Sequence, residues 1–466
     1  MDSEEDRLYV EWAEELLQDL QGDEYKSKRR AGEEFDGKWD IKYETVKFAT
    51  IRYKTIGANG EEKELSELVA FNKDAGNDEA KNPKNLIIGC HTTITNNDEC
   101  PTNFKNLSST TDVAVISLLA ASNNSLAVIP DYEGYGATSS DPHPYCNRDI
   151  TAKQMIDGAK AAVAWYEKNV TKMPSGWKSL AIGYSEGGAV AANVLEYYHA
   201  HNEKGLNMVG AICGDGPYDL LATLKQYIDD NRLYMPVSSA LLLKGMVDTN
   251  KGMMALGCTY KDFVTDKFYD TGIFDWLQSK TFDTYDIHRK LLDHSAKYGG
   301  EMGFTMMVMN DKEFYAYTPE NISKMPDKWI FRNNGAENYC TVDQCLKPGV
   351  IEYFKSGKIL GDVSEAKLKA LEQALKENSL TYGGWKPSGA YPHAFYFLHC
   401  IYDEVVPFCN YESVRTAWGT NRFMGAPREL DRLRYHVNVG FYFFIADAGA
   451  SINTIFGDKW VAGETK

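Results

Sequence analysis

The spacing of apolar and polar positions divides the chain into segments. Residues 5 to 21 carry Leu8, Val10, Trp12, Ala13, Leu16, Leu17 and Leu20 among acidic residues. That spacing predicts an amphipathic helix, read as a packing extension, with a partner-binding helix as the alternative. From Asp40 to Ile56 the pattern turns to alternation, Gly57-Ala58-Asn59-Gly60 supplies a turn, and Leu65 to Phe71 continues, which predicts a β-hairpin. Asn72 to Lys84 is polar and reads as a surface loop. Short apolar runs follow at Leu86 to Cys90, Leu126 to Asp131, Lys178 to Ile182 and Met208 to Cys213. They alternate with helix-like stretches at Asp112 to Ala121, Ile150 to Asn169 and Gly188 to His201. On the second of these, Met155, Ile156, Ala159, Ala162, Val163 and Trp165 form the expected buried side. Strand, helix and strand in that order call for a mostly parallel sheet with right-handed crossovers.

From Pro217 to about Pro392 the pattern changes. Apolar runs at helical spacing (Leu220 to Ile228, Ser238 to Val247, Tyr260 to Phe268, Glu365 to Leu375) alternate with polar turns, and no strand pattern stands out. An intervening stretch of that length is far beyond an ordinary connection and predicts a mainly helical insertion over the active-site face. Its methionines, Met253-Met254 and Met302, Met306, Met307 and Met309, are read either as the lining of an adaptable apolar pocket or as ordinary core. The sheet resumes at Ala394 to His399.

One turn carries chemistry. Gly183-Tyr184-Ser185-Glu186-Gly187 lies between an apolar run and an Ala- and Val-rich helical segment. Strand, sharp turn and helix form the nucleophile elbow of an α/β-hydrolase, in which the strained central residue presents its hydroxyl at a sheet edge. In that fold the loop after an earlier strand supplies one oxyanion N–H and the residue after the nucleophile supplies the other. Thr92 or Thr93, in His91-Thr92-Thr93, and Glu186 are therefore the oxyanion candidates, with an ordinary polar turn as the alternative at 91–95. Asp131, before Gly134 and Gly136, is read as tying its loop down rather than as catalytic.

The fold's chain order is nucleophile, acid, histidine. Asp403 lies just past a strand end, where a carboxylate reaches back to orient an imidazole; Asp431 has no strand leading to it, and Glu404 points away if Asp403 points in. Of nine histidines only His436 follows Asp403, at the head of an apolar helix, and it is the candidate base. His399 is assigned to holding the acid loop, and His199 and His201 to the surface.

Composition narrows the partners. A formal charge of −16 argues against nucleic acid and anionic membrane surfaces and suits a neutral or cationic substrate. No apolar run is long enough to span a bilayer, and the acidic start Met1 to Asp6 does not resemble an export signal. Nine cysteines show no Cys/His ligand spacing and no metal cluster; Cys213 and Cys400 read as buried residues, and Cys340 and Cys345 could close a small loop.

Pro130-Asp131-Tyr132-Glu133-Gly134-Tyr135-Gly136 with His143-Pro144-Tyr145, Gly183 to Gly188, Asp215-Gly216-Pro217-Tyr218-Asp219-Leu220, and His399 to Pro407 together resemble the secretory lipase/esterase family of α/β-hydrolases. That group includes bacterial secreted esterases with a large helical lid and fungal lipases similar to lipase A. The resemblance covers most of residues 45 to 455. Together with the apolar pattern it gives the expected organisation: an α/β-hydrolase core at 46–216 and 393–466, a helical lid at 217–392, and an N-terminal helical extension at 1–45. It also implies Ser185 as nucleophile, Asp403 as acid and His436 as base, with no cofactor and no metal. The family's oxyanion loop reads His-Gly-Thr where this chain has His91-Thr92-Thr93, a departure in the backbone of that loop. The expected activity is hydrolysis of a small-molecule, lipid or carbohydrate ester through an acyl-enzyme. A serine peptidase acting on short peptides and a non-enzymatic binding module are the alternatives. Family resemblance implies a secreted or periplasmic protein; the N-terminus, read alone, implies a cytoplasmic one.

Overall fold

The computed structural model describes residues 46–103, 111–292, 306–310, 313–316, 336–387, 395–401, 403–419, 423–424, 436, 439–440, 443–444 and 448–456. The amphipathic stretch at 5–21, Met302 and Asp431 lie outside the described residues.

The hairpin forms as its alternation requires: β1 (Val46–Ile56) pairs antiparallel with β2 (Glu62–Asn72), Ile56 facing Glu62. The chain continues through β3 (Asn85–Cys90), α1 (Thr111–Ser122), β4 (Ser125–Pro130), α2 (Arg148–Asn169), β5 (Ser179–Tyr184), α3 (Glu186–Ala200) and β6 (Met208–Gly214). After the insertion come β11 (Phe395–Leu398) and β12 (Phe423–Met424). They form an 8-stranded sheet in the order β1-β2-β4-β3-β5-β6-β11-β12, parallel from β4 to β12.

The short apolar runs are strands buried on both faces. Leu86, Ile88, Ala181 and Cys213 enter one layer with α2 and α3, while Ile87, Leu180, Ile182 and Ile212 enter the other with α1. Continuous apolar strands are what a parallel sheet covered by helices demands. On α2, Met155, Ile156, Ala159 and Ala162 are buried as expected, but Val163 and Trp165 are only partly covered. The largest missed residue is Tyr166, fully buried and edge-on to Phe71.

Between β6 and β11 lie α4 (Leu220–Asp230), α5 (Pro236–Thr249) and helices at Pro348–Ser356 and Glu365–Glu377, around an apolar cluster that includes Tyr227, Val237, Leu241, Phe263 and Leu371. The expected helix at 260–268 is two helices, Tyr260–Phe263 and Asp266–Tyr269. The backbone is extended at Val264 and Thr265, and the Thr265 hydroxyl caps the second helix by accepting from the Phe268 N–H at 3.1 Å. A second departure is a 4-stranded sheet of β7 (Leu233–Tyr234), β10 (Ala336–Cys340), β8 (Met306–Asn310) and β9 (Glu313–Ala316), in that order and antiparallel throughout. Its strands run only 2 to 5 residues, too short to display a period of two, and Met306 to Asn310 reads in sequence as an apolar patch. Of the methionine patches, Met253 in the pair Met253-Met254 follows the reading as ordinary core rather than as pocket lining. Met253 is buried in the cluster and Met254 is 52% exposed, whereas Met246, with Leu224, Tyr227 and Phe268, lines an apolar cavity of about 80 Å³.

Candidate active site

Ser185 connects β5 to α3 with φ 57° and ψ −126°, a backbone conformation that a residue with a Cβ adopts at a cost of about 1–3 kcal/mol. The strain is fixed by close approach on both sides. A Cβ on Gly183 would stand 2.2 Å from the Gly187 carbonyl oxygen, and one on Gly187 would stand 2.1 Å from that of Cys90. Helix and strand therefore meet only because both positions lack a side chain. The Ser185 N–H donates to the Gly214 carbonyl at 2.9 Å, fastening the turn to the neighbouring strand.

The structure brings Ser185, His436 and Asp403 into one hydrogen-bonded chain. His436 Nε2 lies 2.8 Å from Ser185 Oγ, and Nδ1 lies 2.5 Å from Asp403 Oδ2. The other oxygen of Asp403 accepts the N–H groups of Val405 at 2.9 Å and Val406 at 2.7 Å. Since a carboxylate only accepts, the imidazole donates from Nδ1, and once the ring is neutral its Nε2 lone pair faces the serine hydroxyl. Burial opposes the charged imidazole, but the charge and hydrogen bond of Asp403, with Asp215 and Glu404 behind, outweigh it and raise His436 to about 9.

The main chain of His436 is held as well. Its N–H donates to the Glu404 carboxyl at 3.1 Å, and its carbonyl accepts from the Tyr184 hydroxyl at 2.7 Å. Glu404 thus points away from the imidazole, as expected; burial and the nearby Asp403 push its carboxyl upward. Sequence reading missed Tyr184 as a contributor and met Asp215 only within the family motif. Tyr184 Oη also lies 2.6 Å from Asp215 Oδ2, and Asp215 Oδ1 accepts the Cys400 N–H at 2.6 Å. Burial shifts Asp215 upward against the pull of His399. His399 Nε2–H donates to the Val406 carbonyl at 2.9 Å and holds the acid loop in the role expected of it. Asp215, His399 and Asp403 bring ligand-type atoms within 4.8 Å of one another, but Asp215 Oδ1 and both Asp403 oxygens already accept hydrogen bonds from protein groups. His201 is exposed, His199 is half-buried, and Cys213 and Cys400 are fully buried.

The oxyanion candidates separate. The Thr92 N–H donates to Asp112 Oδ2 at 2.6 Å, so it is committed at the N-terminus of α1 and does not serve as an oxyanion donor in this geometry. Thr93 is anchored by its side chain, Oγ1 lying 2.7 Å from Tyr145 Oη. Glu186 opens α3, where the first main-chain N–H groups have no helical acceptor. Its buried carboxylate lies 3.4 Å from His143 Nε2, and the Nδ1–H of His143 donates to the Glu133 carbonyl at 2.7 Å. Asp131 ties its loop as expected, accepting from the hydroxyls of Ser66 and Thr102 and the N–H of Thr102.

The insertion reaches this edge of the sheet. The Tyr227 hydroxyl of α4 donates to the Val405 carbonyl in the acid loop, and buried Lys280 donates to the carbonyls of Gly134, Ser139 and Asp141. Among the described residues no helix is long and apolar enough to cross a membrane.

No family model and no curated protein matches the chain. Solved structures do. A ligand-bound form of the rice cell wall degrading esterase LipA from Xanthomonas oryzae superposes with a TM-score of 0.60 at 18% identity, over 87% of this chain and 88% of that one. The closed state of Candida antarctica lipase A gives 0.54 at 14% identity, over 91% and 81%. At such identities the likeness shows a shared architecture: the chain has the α/β-hydrolase fold.

Proposed function

We propose that the protein is a serine carboxylic-ester hydrolase working through an acyl-enzyme. The observation that carries this reading is the unbroken chain from Ser185 Oγ through His436 to Asp403. His436 takes the serine proton as the alkoxide attacks the ester carbonyl, and Asp403 stabilises the imidazolium that forms. The main-chain N–H groups of Glu186 and Thr93 receive the developing oxyanion; a donor of this kind is worth about 10²–10³ in rate. His436 then protonates the leaving alcohol, and water repeats the sequence to release the acid. An esterase and a lipase of the same fold support the choice of an ester over other acyl compounds. Residues 217–392 act as a lid over a core at 46–216 and 393–466, a reading supported by the Tyr227 and Lys280 ties. Export from the cell belongs to the same proposal, and fractionation of the native host tests it.

The deciding experiment measures hydrolysis of nitrophenyl acyl esters of graded length, aryl esters and aminoacyl amides by the wild type and Ser185→Ala. Ester turnover lost in the variant, with amides cleaved far more slowly, is the expected result. Preferential amide cleavage would instead establish a peptidase. A Ser185 hydroxyl that ignores fluorophosphonates, with no turnover of any substrate, would leave only a binding function.

A further inference from the structure

Two cysteines in the insertion stand apart from the chemistry above. Cys340 is the last residue of β10, in register with Leu233 of β7, and Cys345 ends the short helix Val342–Cys345. The four residues between them are tightly folded. The Thr341 N–H donates to Gln344 Oε1 at 3.1 Å, the Gln344 N–H returns to the Thr341 carbonyl at 3.1 Å, and the Leu346 N–H donates to the Val342 carbonyl at 2.8 Å. This turn aims both side chains inward, where they are 1% and 0% exposed, with the sulfurs 3.0 Å apart. Two unbonded sulfurs in ordinary van der Waals contact stand farther apart than this. A dithiol so held needs an approach of only about 1 Å to reach bonding distance.

We propose that Cys340 and Cys345 are joined by an intrachain disulfide in the mature protein. Glutathione disulfide, or a protein disulfide of the same class, is the oxidant. The thiolate of one cysteine attacks it and expels one thiol, and the thiolate of the other cysteine then attacks the mixed disulfide and expels the second. The chain loses two electrons and two protons, and the oxidant leaves as two thiols. Burial, with Cys340 beside it, pushes the Cys345 thiol well above its usual range, so little thiolate exists once the insertion has packed. The bond therefore forms before that core closes, and afterwards it resists reductants that do not unfold the chain. Cys345 also lines the apolar cavity beside Leu233 and Leu346, so the bridge staples the β7–β10 pair to the cavity wall.

The test is a peptide map of the full chain produced with glutathione disulfide present during folding. The protein is denatured without reductant, treated with iodoacetamide and digested with trypsin. The Lys347-Pro348 bond resists cleavage, so one peptide, Asn333 to Lys355, carries both cysteines. The expected peptide bears no alkyl group and weighs two hydrogens less than its reduced form, while Cys340→Ser leaves Cys345 fully alkylated. Reduction under denaturing conditions followed by refolding without oxidant lowers the wild-type thermal transition by about 2–4 °C and leaves that of Cys340→Ser unchanged. Complete alkylation of both cysteines in the unreduced wild type, or a bridge from either to a different cysteine, overturns the proposal. The map reads unfolded protein, so it decides even if the serine variant does not fold.

Discussion

Replacing Asp403 by Asn separates the two services the acid performs, because the backbone around it dictates which way the amide must face. One carboxylate oxygen accepts the N–H groups of Val405 and Val406, at 2.9 and 2.7 Å, and the other accepts from His436 Nδ1 at 2.5 Å. Only the oxygen of an amide accepts, so it takes the two main-chain donors and the NH₂ turns to the imidazole. The NH₂ then donates to Nδ1, which moves the ring proton to Nε2, where it confronts the Ser185 hydroxyl instead of receiving its proton. Restoring the working tautomer requires flipping the amide and leaving two buried N–H groups without an acceptor. At about 1–3 kcal/mol for each orphaned donor, the penalty corresponds to a rate loss between about thirtyfold and 10⁴-fold. The variant is nearly isosteric, so it stays folded. The assay is kcat and KM on a nitrophenyl ester beside thermal unfolding. The expected result, read above about pH 9 where the His436 imidazole is neutral, is a loss in kcat with KM and Tm little changed. An Asp403→Asn enzyme retaining more than about a tenth of wild-type kcat would refute this account of the tautomer.

Four further predictions follow, three of them from the surroundings of the site. With His436 raised to about 9 from an ordinary 6.5, kcat/KM climbs on an alkaline limb whose midpoint lies above 6.5. The same shift contributes stability that is complete below 6.5 and is lost as pH rises through about 9, so activity and stability move in opposite directions there; a limb centred at or below 6.5 contradicts the electrostatic reading. Tyr184→Phe leaves the His436 carbonyl and Asp215 without the hydroxyl they share, and kcat is expected to fall about ten- to a hundredfold with KM unchanged. Glu404→Gln, which can still accept the His436 N–H, should be far milder than Glu404→Ala, and equal losses would deny the contact any positioning role. Finally, Glu67 is fully buried on β2 with no hydrogen-bond partner for either oxygen, and burial holds its carboxyl well above the usual range. Folding must keep it neutral while the unfolded chain ionises it. The stability this group contributes is thus greatest below its unfolded pKa and is lost as pH rises. Glu67→Gln should gain on the wild type by about 1.4 kcal/mol per pH unit above that point, read as Tm between pH 5 and 8; a constant difference across that range would sink the argument.

The sheet was legible because its strands are buried on both faces. Leu86 to Cys90 and Leu180 to Ile182 read as continuous apolar runs, and the glycines around Ser185 mark a close approach that no other residue allows. The insertion was less legible for the opposite reason. Its strands are two to five residues long, and the extended pair Val264 and Thr265 interrupts an otherwise unbroken helical spacing. At the oxyanion loop the sequence left Thr92 and Thr93 equivalent. What distinguishes them is Asp112, twenty positions later, which claims the Thr92 N–H, and main-chain donors carry no side-chain signature by which to foresee it.

Chain order singled out His436 because only one histidine follows Asp403, but order says nothing about what holds that histidine still. Tyr184 meets the His436 carbonyl across 252 positions, and a backbone acceptor can be paired with any donor in the sequence. The contact matters because Tyr184 adjoins Ser185. The last residue of β5 grips the main chain of His436, and the next residue offers its hydroxyl to the imidazole of that same histidine at 2.8 Å. Ser185 and His436 are thereby referred to one buried strand end, although more than two hundred residues, most of them in the insertion, separate them in the chain.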